Sequence, residues 1–149
     1  MRIAIVDDNS TEQEKLAKPL GDWSTAHHLT PEIILFDSGD AFLNSLSETA
    51  YELVFMDIIM DGKNGIETAQ LMRRMTLETL LIFLTSSREY MEQAFPCHAF
   101  DYVIKPYRKE QIIRVLNEAM RQLNKGGEYI EFRVNRQLCR LLLTDILYV

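Results

Sequence analysis

The sequence predicts an α/β protein: a doubly wound, five-stranded parallel sheet of order 2-1-3-4-5 with a short C-terminal β extension. Three observations predict it. Five short apolar runs alternate with longer amphipathic stretches across residues 1–124. The second, third and fourth runs are apolar almost without a break, as strands covered on both faces are. After Lys125-Gly126-Gly127 the alternation stops, because adjacent glycines break a helix and two strand-like runs then follow each other directly.

Arg2–Val6 is the first strand, and a helix over Ser10–Leu20 follows it. Ser10 and Thr11 supply caps and Glu14 lies in the first turn. Glu32–Phe36 is the second strand, and the turn Asp37-Ser38 leads into a helix over Gly39–Leu46. Glu52–Met56 is the third strand. The next helix, Gly65–Met75, carries Ile66, Ala69 and Met72 or Met75 at helical spacing. Leu80–Leu84 is the fourth strand, and a helix over Arg88–Phe95 ends near Pro96. Tyr102–Ile104 is the fifth. The last helix, Arg108–Leu123, sets Ile112, Val115, Leu116, Ala119 and Leu123 on one stripe. Strands separated by helices must pair in parallel through right-handed crossovers. Beyond the glycines, Tyr129–Val134 alternates, Asn135-Arg136-Gln137 reads as a turn, and Leu138–Leu143 reads as an antiparallel partner. The expected division is therefore a domain over 1–124 and a linker with the first strands of something else over 125–149.

Composition bounds the function. A chain of 149 residues holds one full domain and little more. With 47% apolar and 26% charged residues it is not a disordered chain. The net charge is 16 − 22 = −6, which disfavours nucleic-acid binding by the chain as a whole and suits a protein that holds a cation. Residues 1–124 hold 12 basic and 19 acidic residues, whereas residues 125–149 hold 4 and 3. Cys97 and Cys139 are too few for a disulfide framework. No apolar run approaches the roughly 18–20 residues of a membrane span. Met1-Arg2 leads straight into a strand-like run, so no secretory leader is expected and the expected address is cytoplasmic.

Ligands of open α/β sheets bind beyond the carboxyl ends of the strands. Asp7-Asp8 follow the first strand, Asp57 the third, Thr85-Ser86 the fourth and Lys105-Pro106 the fifth. In the order 2-1-3-4-5 the first and third strands are neighbours, which brings Asp7, Asp8 and Asp57 together. Clustered carboxylates repel unless a positive charge sits among them. Mg²⁺ suits a few carboxylates plus water and phosphate oxygens. An Asp carboxylate is also a competent nucleophile towards phosphorus. The residues thus point to Mg²⁺-assisted phosphoryl transfer to an Asp, with Thr85 donating to one phosphoryl oxygen and Lys105 pairing with another. Singly, each Asp also fits a helix cap or turn; the joint placement at separate strand ends gives the reading its force.

The segments Ile3-Ala4-Ile5-Val6-Asp7-Asp8, Val54-Phe55-Met56-Asp57-Ile58-Ile59-Met60-Asp61-Gly62-Lys63-Asn64-Gly65, Ile82-Phe83-Leu84-Thr85-Ser86 and Phe100-Asp101-Tyr102-Val103-Ile104-Lys105-Pro106 resemble the receiver domain of two-component response regulators. The resemblance covers residues 1–124 and implies a flavodoxin-like fold. It implies that Asp57 accepts a phosphoryl group from a sensor histidine kinase. It also implies that Asp7, Asp8, Asp57 and the backbone carbonyl of Ile59 hold Mg²⁺. Thr85 and Tyr102 would form the switch pair, Lys105 would pair with the phosphoryl group, and the Lys105–Pro106 bond would be cis. A homodimer formed on phosphorylation through the fourth helix, fifth strand and fifth helix is the expected consequence. Asp61 departs from the family, which often has Pro there; it reads as a solvated turn residue or as added charge near the metal edge. Ile59 offers no polar group to position water, so self-dephosphorylation is expected to be slow. Glu131-Phe132-Arg133-Val134-Asn135-Arg136 through Asp145-Ile146-Leu147-Tyr148-Val149 resembles the start of a LytTR-type DNA-binding domain, which implies DNA binding only through a full-length output domain. The alternative for this tail is a small β extension.

The other candidates carry less. His27, His28 and His98 lack metal-ligand spacing and read as surface or loop histidines. Cys97 and Cys139 read as structural. A rival function is a Mg²⁺ phosphatase with an aspartyl nucleophile. That chemistry needs an Asp two residues past the nucleophile, where Asp57 has Ile59 and Asp7 has Asn9. A third class is an interaction module that needs no phosphorylation.

Overall fold

The computed structural model describes the backbone of residues 1–126, 129–134 and 137–142, and the side chains of residues 1–125. The expected sheet is present. Strands β1 (Arg2–Val6), β2 (Glu32–Phe36), β3 (Leu53–Met56), β4 (Leu80–Thr85) and β5 (Asp101–Ile104) form one parallel sheet of order β2-β1-β3-β4-β5. Helices α1 (Ser10–Ala26), α2 (Gly39–Ser45), α3 (Gly65–Met75), α4 (Met91–Ala94) and α5 (Lys109–Gly126) connect and follow the strands. A second, antiparallel sheet pairs β6 (Tyr129–Val134) with β7 (Gln137–Leu142). The chain divides into two compact units, Met1–Leu116 and Asn117–Val149.

The core follows from strand alternation. On one face Ala4, Val6, Val54, Met56, Leu81 and Phe83 pack with Phe42 of α2 and Ile66, Ala69 and Met72 of α3. Ile3, Ile5, Phe55, Ile82 and Leu84 point the other way and are buried as well. On that side Leu16 of α1 borders the same small void as Ile5, Phe55 and Leu84. Leu20 and Trp23 of α1 and Ile112, Val115 and Leu116 of α5 are also buried. β2 is the exception to its apolar sequence. It lies at the sheet edge with one neighbour, and Leu35 stays 50% exposed.

Several boundaries differ from the sequence expectation. The cap of α1 is Asn9, whose side chain accepts from the N–H groups of Thr11 and Glu12; Glu12, not Glu14, is the acid of the first turn. α1 also continues past Pro19 to Ala26. Proline removes one helical hydrogen bond, but Leu20, Trp23 and Ser24 beyond it are buried, and His27 stacks on Trp23 at 4.8 Å. α4 is one turn instead of two and passes into a 3₁₀ turn, Phe95–Cys97. Tyr90 gives it no side-chain cap, and Pro96 has no N–H to extend it. α5 runs through Lys125 and Gly126, so two of the residues expected to form the linker are helical instead. The expected turn residues 135–136 and the apolar run 146–149 lie outside the described residues, as do the side chains of the tail, Cys139 included. Among the described residues no helix is long and apolar enough to cross a membrane.

Two sets of contacts fix the loops at opposite ends of the sheet. Arg73 of α3 donates to the backbone carbonyls of Thr79 at 2.7 Å, Cys97 at 2.8 Å and His98 at 3.0 Å, tying together the entrances of β4 and β5. At the carboxyl edge, Gly65 opens α3 against the chain that leaves β3, and its N–H bonds to the carbonyl of Ile58 at 2.8 Å. A β-carbon at Gly65 would stand 2.2 Å from the Asp57 carbonyl oxygen and 2.7 Å from the Ile58 α-carbon. Both obstacles are backbone, so neither can turn aside.

Gly65→Ala is therefore expected to cost about 2–3 kcal/mol in urea denaturation, through forced displacement of a packed backbone. Gly21 sits in α1, and a β-carbon there would meet nothing within 4 Å. Gly21→Ala is expected to stabilise by about 0.5–1 kcal/mol in the same assay.

Candidate functional site

Sheet register assembles the site. Val6 lies beside Met56, so the next residues, Asp7 and Asp57, leave neighbouring strands at the same level. Asp57 donates its N–H to the Val6 carbonyl at 2.9 Å, and Asp7 donates to the Phe36 carbonyl at 3.0 Å. Thr85 ends β4 beside Ile104 of β5, and Lys105 donates its N–H to the Thr85 carbonyl at 2.8 Å. The Lys105–Pro106 peptide is cis, as expected. All of the residues singled out at the strand ends thus reach one edge of the sheet.

Asp7, Asp8 and Asp57 each present a carboxylate oxygen within 4.8 Å of the other two. Asp7 and Asp57 are nearly enclosed, and Asp8 is open to solvent. Asp7 Oδ1 accepts from the Asn9 N–H at 2.9 Å, Asp8 Oδ2 from the Asp61 N–H at 3.0 Å, and Asp57 Oδ1 from the Ile59 N–H at 3.3 Å. Asp61 therefore meets the cluster through its backbone. Three carboxylates at this spacing offer hard oxygen ligands of the kind Mg²⁺ takes.

One ammonium already lies among them. Lys105 Nζ stands 2.8 Å from Asp7 Oδ2, 3.3 Å from Asp57 Oδ2 and 3.6 Å from Glu12 Oε2. Burial works against the charge on Lys105, but the hydrogen bond to Asp7 and the attraction of Asp57, Asp7 and Glu12 outweigh it, and its pKa rises. Asp57 moves upward too. Burial is the largest cause, ahead of the lowering by Lys105; Asp7 pushes it further up, and the Ile59 N–H and Thr85 pull it down. The ammonium sits closer to Asp7 than to Asp57, so burial prevails at Asp57.

Two hydroxyls at the site are unusual. Thr85 Oγ1 is wholly buried and, among the described residues, makes no hydrogen bond of good geometry, although it lies close enough to the Asp57 carboxylate to favour its charged form. The Tyr107 hydroxyl is buried and has no hydrogen-bond partner among the described residues. Desolvation, then the nearby Glu12, pushes its pKa up to about 12. Tyr102 packs on Phe83 at 6.1 Å and donates its hydroxyl to the Ser87 carbonyl in the segment before α4. Burial raises its pKa.

A cleft of about 860 Å³ opens over the cluster, bordered by Asp57, Ile59, Ser86, Lys105 and Tyr107 and by Glu12, Lys15 and Lys18 of α1. Ile59 stands at its lip, 51% exposed. Cys97 is buried away from this cleft, with its thiol pushed up by burial. His98 ends the 3₁₀ turn at φ 55°. Sequence reading missed Glu12, Gln13 and Tyr107. Gln13 Nε2 donates to the carbonyls of Asp7 at 2.8 Å and Phe36 at 3.0 Å, holding the ends of β1 and β2 together. The signal for Glu12 and Gln13 was their place in the first turn of a helix that starts at the site. Tyr107 lies two residues beyond Lys105.

Comparison with known proteins agrees with this geometry. The response regulator receiver domain matches residues 3–117. MrkE of Klebsiella pneumoniae is 30% identical over 119 residues, covering 79% of this chain and 42% of MrkE. The crystal structure of its response regulatory domain superposes with a TM-score of 0.74 at 28% identity, over 83% of this chain and 98% of that one. The transcriptional regulatory protein YpdB of Escherichia coli strain K12 is 29% identical, covering 79% of this chain and 47% of YpdB. The response regulator TrrA of Thermotoga maritima, solved in complex with Mg²⁺-BeF, superposes with a TM-score of 0.69 at 26% identity, over 79% of this chain and 97% of that one. The chain spans less than half the length of the curated relatives it matches, 42% and 47% here.

Tyr107 gives a signed pH test. Its hydroxyl favours the neutral form in the folded state, so this contribution to stability is whole below pH 10 and is lost as pH rises towards about 12. Tyr107→Phe is expected to leave stability at pH 7 unchanged or slightly raised, and to flatten the loss above pH 10, in urea denaturation at pH 7 and 10.5. A clear destabilisation at pH 7 would show that the hydroxyl has a partner.

Proposed function

The chain belongs to the response regulator receiver domain family, and from that membership we propose that it is a two-component switch in which Asp57 accepts a phosphoryl group from a sensor histidine kinase. The observation that carries the proposal is the convergence of Asp7, Asp8 and Asp57 with the Lys105 ammonium at one edge of the sheet, beside the buried Thr85 hydroxyl. A buried hydroxyl without a well-formed bond is costly, and a phosphoryl oxygen on Asp57 would give Thr85 a better-placed acceptor.

In this reading an oxygen of Asp57 attacks phosphorus as the phosphohistidine N–P bond breaks, and an aspartyl phosphate forms. Asp7, Asp8, Asp57 and the Ile59 backbone carbonyl would hold Mg²⁺, which would offset charge on the carboxylates and the phosphoryl oxygens. Lys105 leaves Asp57 Oδ2 and pairs with a phosphoryl oxygen. Thr85 donates to another. Tyr102 lies on the same face of the sheet as Thr85, one strand away, and its hydroxyl holds the Ser87 carbonyl. A shift of Thr85 towards the phosphoryl group thereby reaches the segment that leads into α4, as a change in population between two states. Met91 and Phe95 stand exposed there, 47% and 85%, and offer apolar contact for a homodimer. The domain acts as a phosphoacceptor and has no turnover of its own beyond adding and losing that group. In the full regulator, residues 1–124 would be the receiver and residues 125–149 would lead into an output domain of LytTR type that binds DNA and controls transcription. Its place would be the cytoplasm.

Incubation with acetyl phosphate and Mg²⁺ is expected to add one phosphoryl group by mass spectrometry, and Asp57→Asn to abolish it. With beryllofluoride and Mg²⁺ the chain is expected to shift towards dimer in sedimentation; unlabelled Asp57 and unchanged mass would defeat the reading. Ile59 places no polar group at the cleft mouth to orient water, so phosphoryl loss is expected to be slow. Ile59→Asn is expected to shorten the half-life of the aspartyl phosphate by roughly tenfold, followed by the same mass measurement over time.

A further inference from the structure

Lys105 is held by three carboxylates, and the third lies outside the acidic cluster. Asp7, Asp8 and Asp57 form the group fit for a divalent cation, and Glu12 is not part of it. Glu12 Oε2 nonetheless lies 3.6 Å from Lys105 Nζ, and its other oxygen lies 3.5 Å from Lys15 Nζ. The Lys105 side chain is only 13% exposed, that of Glu12 24%.

Two positive charges compete for the same oxygens. Asp7 Oδ2 and Asp57 Oδ2 are the atoms that Lys105 now occupies, at 2.8 and 3.3 Å. Asp7 and Asp57 cannot turn those oxygens to a divalent cation while an ammonium remains in contact, because like charges a few ångströms apart repel strongly in a partly enclosed site. Lys105 must then give way. A nearly enclosed ammonium left without any carboxylate is costly, so where it goes matters for how readily the acids release it. Glu12 is the partner on the side of α1, already within ion-pair reach.

We propose that Glu12 is a positioning residue for Lys105: it takes the ammonium as Asp7 and Asp57 turn to the cation, and keeps it in the cleft within reach of the phosphoryl site. The proposal rests on the cation and phosphoryl reading given above and deepens it by naming the residue that lets the resting ion pair open. Glu12 thereby favours cation binding through Lys105, and not chiefly through its own negative charge.

A double-mutant cycle separates these routes. Mg²⁺ binding is measured by titration calorimetry at fixed ionic strength on the 149-residue chain and on Glu12→Gln, Lys105→Met and the pair. Lys105→Gln replaces Lys105→Met if that variant does not fold. With Lys105 present, Glu12→Gln is expected to weaken Mg²⁺ binding by about threefold or more. With Lys105 replaced, the same change is expected to weaken it by less than about 1.5-fold. Equal weakening in both backgrounds, or none in either, would overturn the proposal while leaving the cation site intact. Failure of the unaltered chain to bind Mg²⁺ at all would overturn the cation site and the role of Glu12 together.

Discussion

Everything at the carboxyl edge of this sheet depends on the Lys105 ammonium among the carboxylates of Asp7, Asp57 and Glu12. The register that makes the sheet a good core also forces Asp7 and Asp57 side by side. Without a counter-charge that placement would be repulsive and dehydrated at once, and the acids would protonate or the loops would splay. Burial does raise the pKa of Asp57, despite the ammonium. The resting site is therefore satisfied but under tension. Its cation is a side chain, and its acids offer the hard oxygen ligands that a divalent cation takes.

That tension survives because the surrounding chain cannot relax it. Val6 and Met56 are fully buried immediately before the two acids. Gly65 closes on the backbone of Asp57 and Ile58 so tightly that no other residue fits without displacement. Gln13 clamps the carbonyls where β1 and β2 end. Arg73 fixes the entrance to β5, the strand that delivers Lys105. Packing and backbone hydrogen bonds thus set the positions of the charges, and the charges are left to respond to chemistry. Preorganisation of this kind is what phosphoryl transfer requires, since it relies on position and electrostatics more than on covalent assistance by the protein.

The sheet was legible because its signal is local. Apolar runs of strand length between amphipathic stretches gave five strands, and β1, β2 and α3 have the expected bounds. The strand-end residues Asp7, Asp8, Asp57, Thr85 and Lys105 were legible for the same reason, since each is defined by where its own strand stops. What escaped was set by tertiary packing. The first helix reads as ending at Leu20, but Trp23 beyond it is buried and carries α1 through to Ala26. Arg88–Phe95 reads as a helix, yet without a cap and before Pro96 it yields a single turn. Leu35 reads as core, yet the edge position of β2 leaves it half open. Glu12, Gln13 and Tyr107 carry no motif. Their importance appears only when helix α1 and the loop after β5 are brought over the acids.

In the proposed reading, Thr85 would let such a site be bistable without large motion. Among the described residues its buried hydroxyl has no hydrogen bond of good geometry, and an unmade bond costs at most about 1–3 kcal/mol. Any state that gives this hydroxyl an anionic acceptor recovers that cost and adds a charge-assisted bond. Tyr102 lies on the same face and holds the Ser87 carbonyl, so the segment before α4 is tied to the same balance. Every 1.4 kcal/mol shifts a two-state ratio about tenfold. In the proposed switch, a gain of that size at Thr85 would be enough to move the population of the α4 segment by about an order of magnitude. α4 is short and has no side-chain cap, and in the proposed switch a local gain at Thr85 would be expressed as a change of surface at Met91 and Phe95.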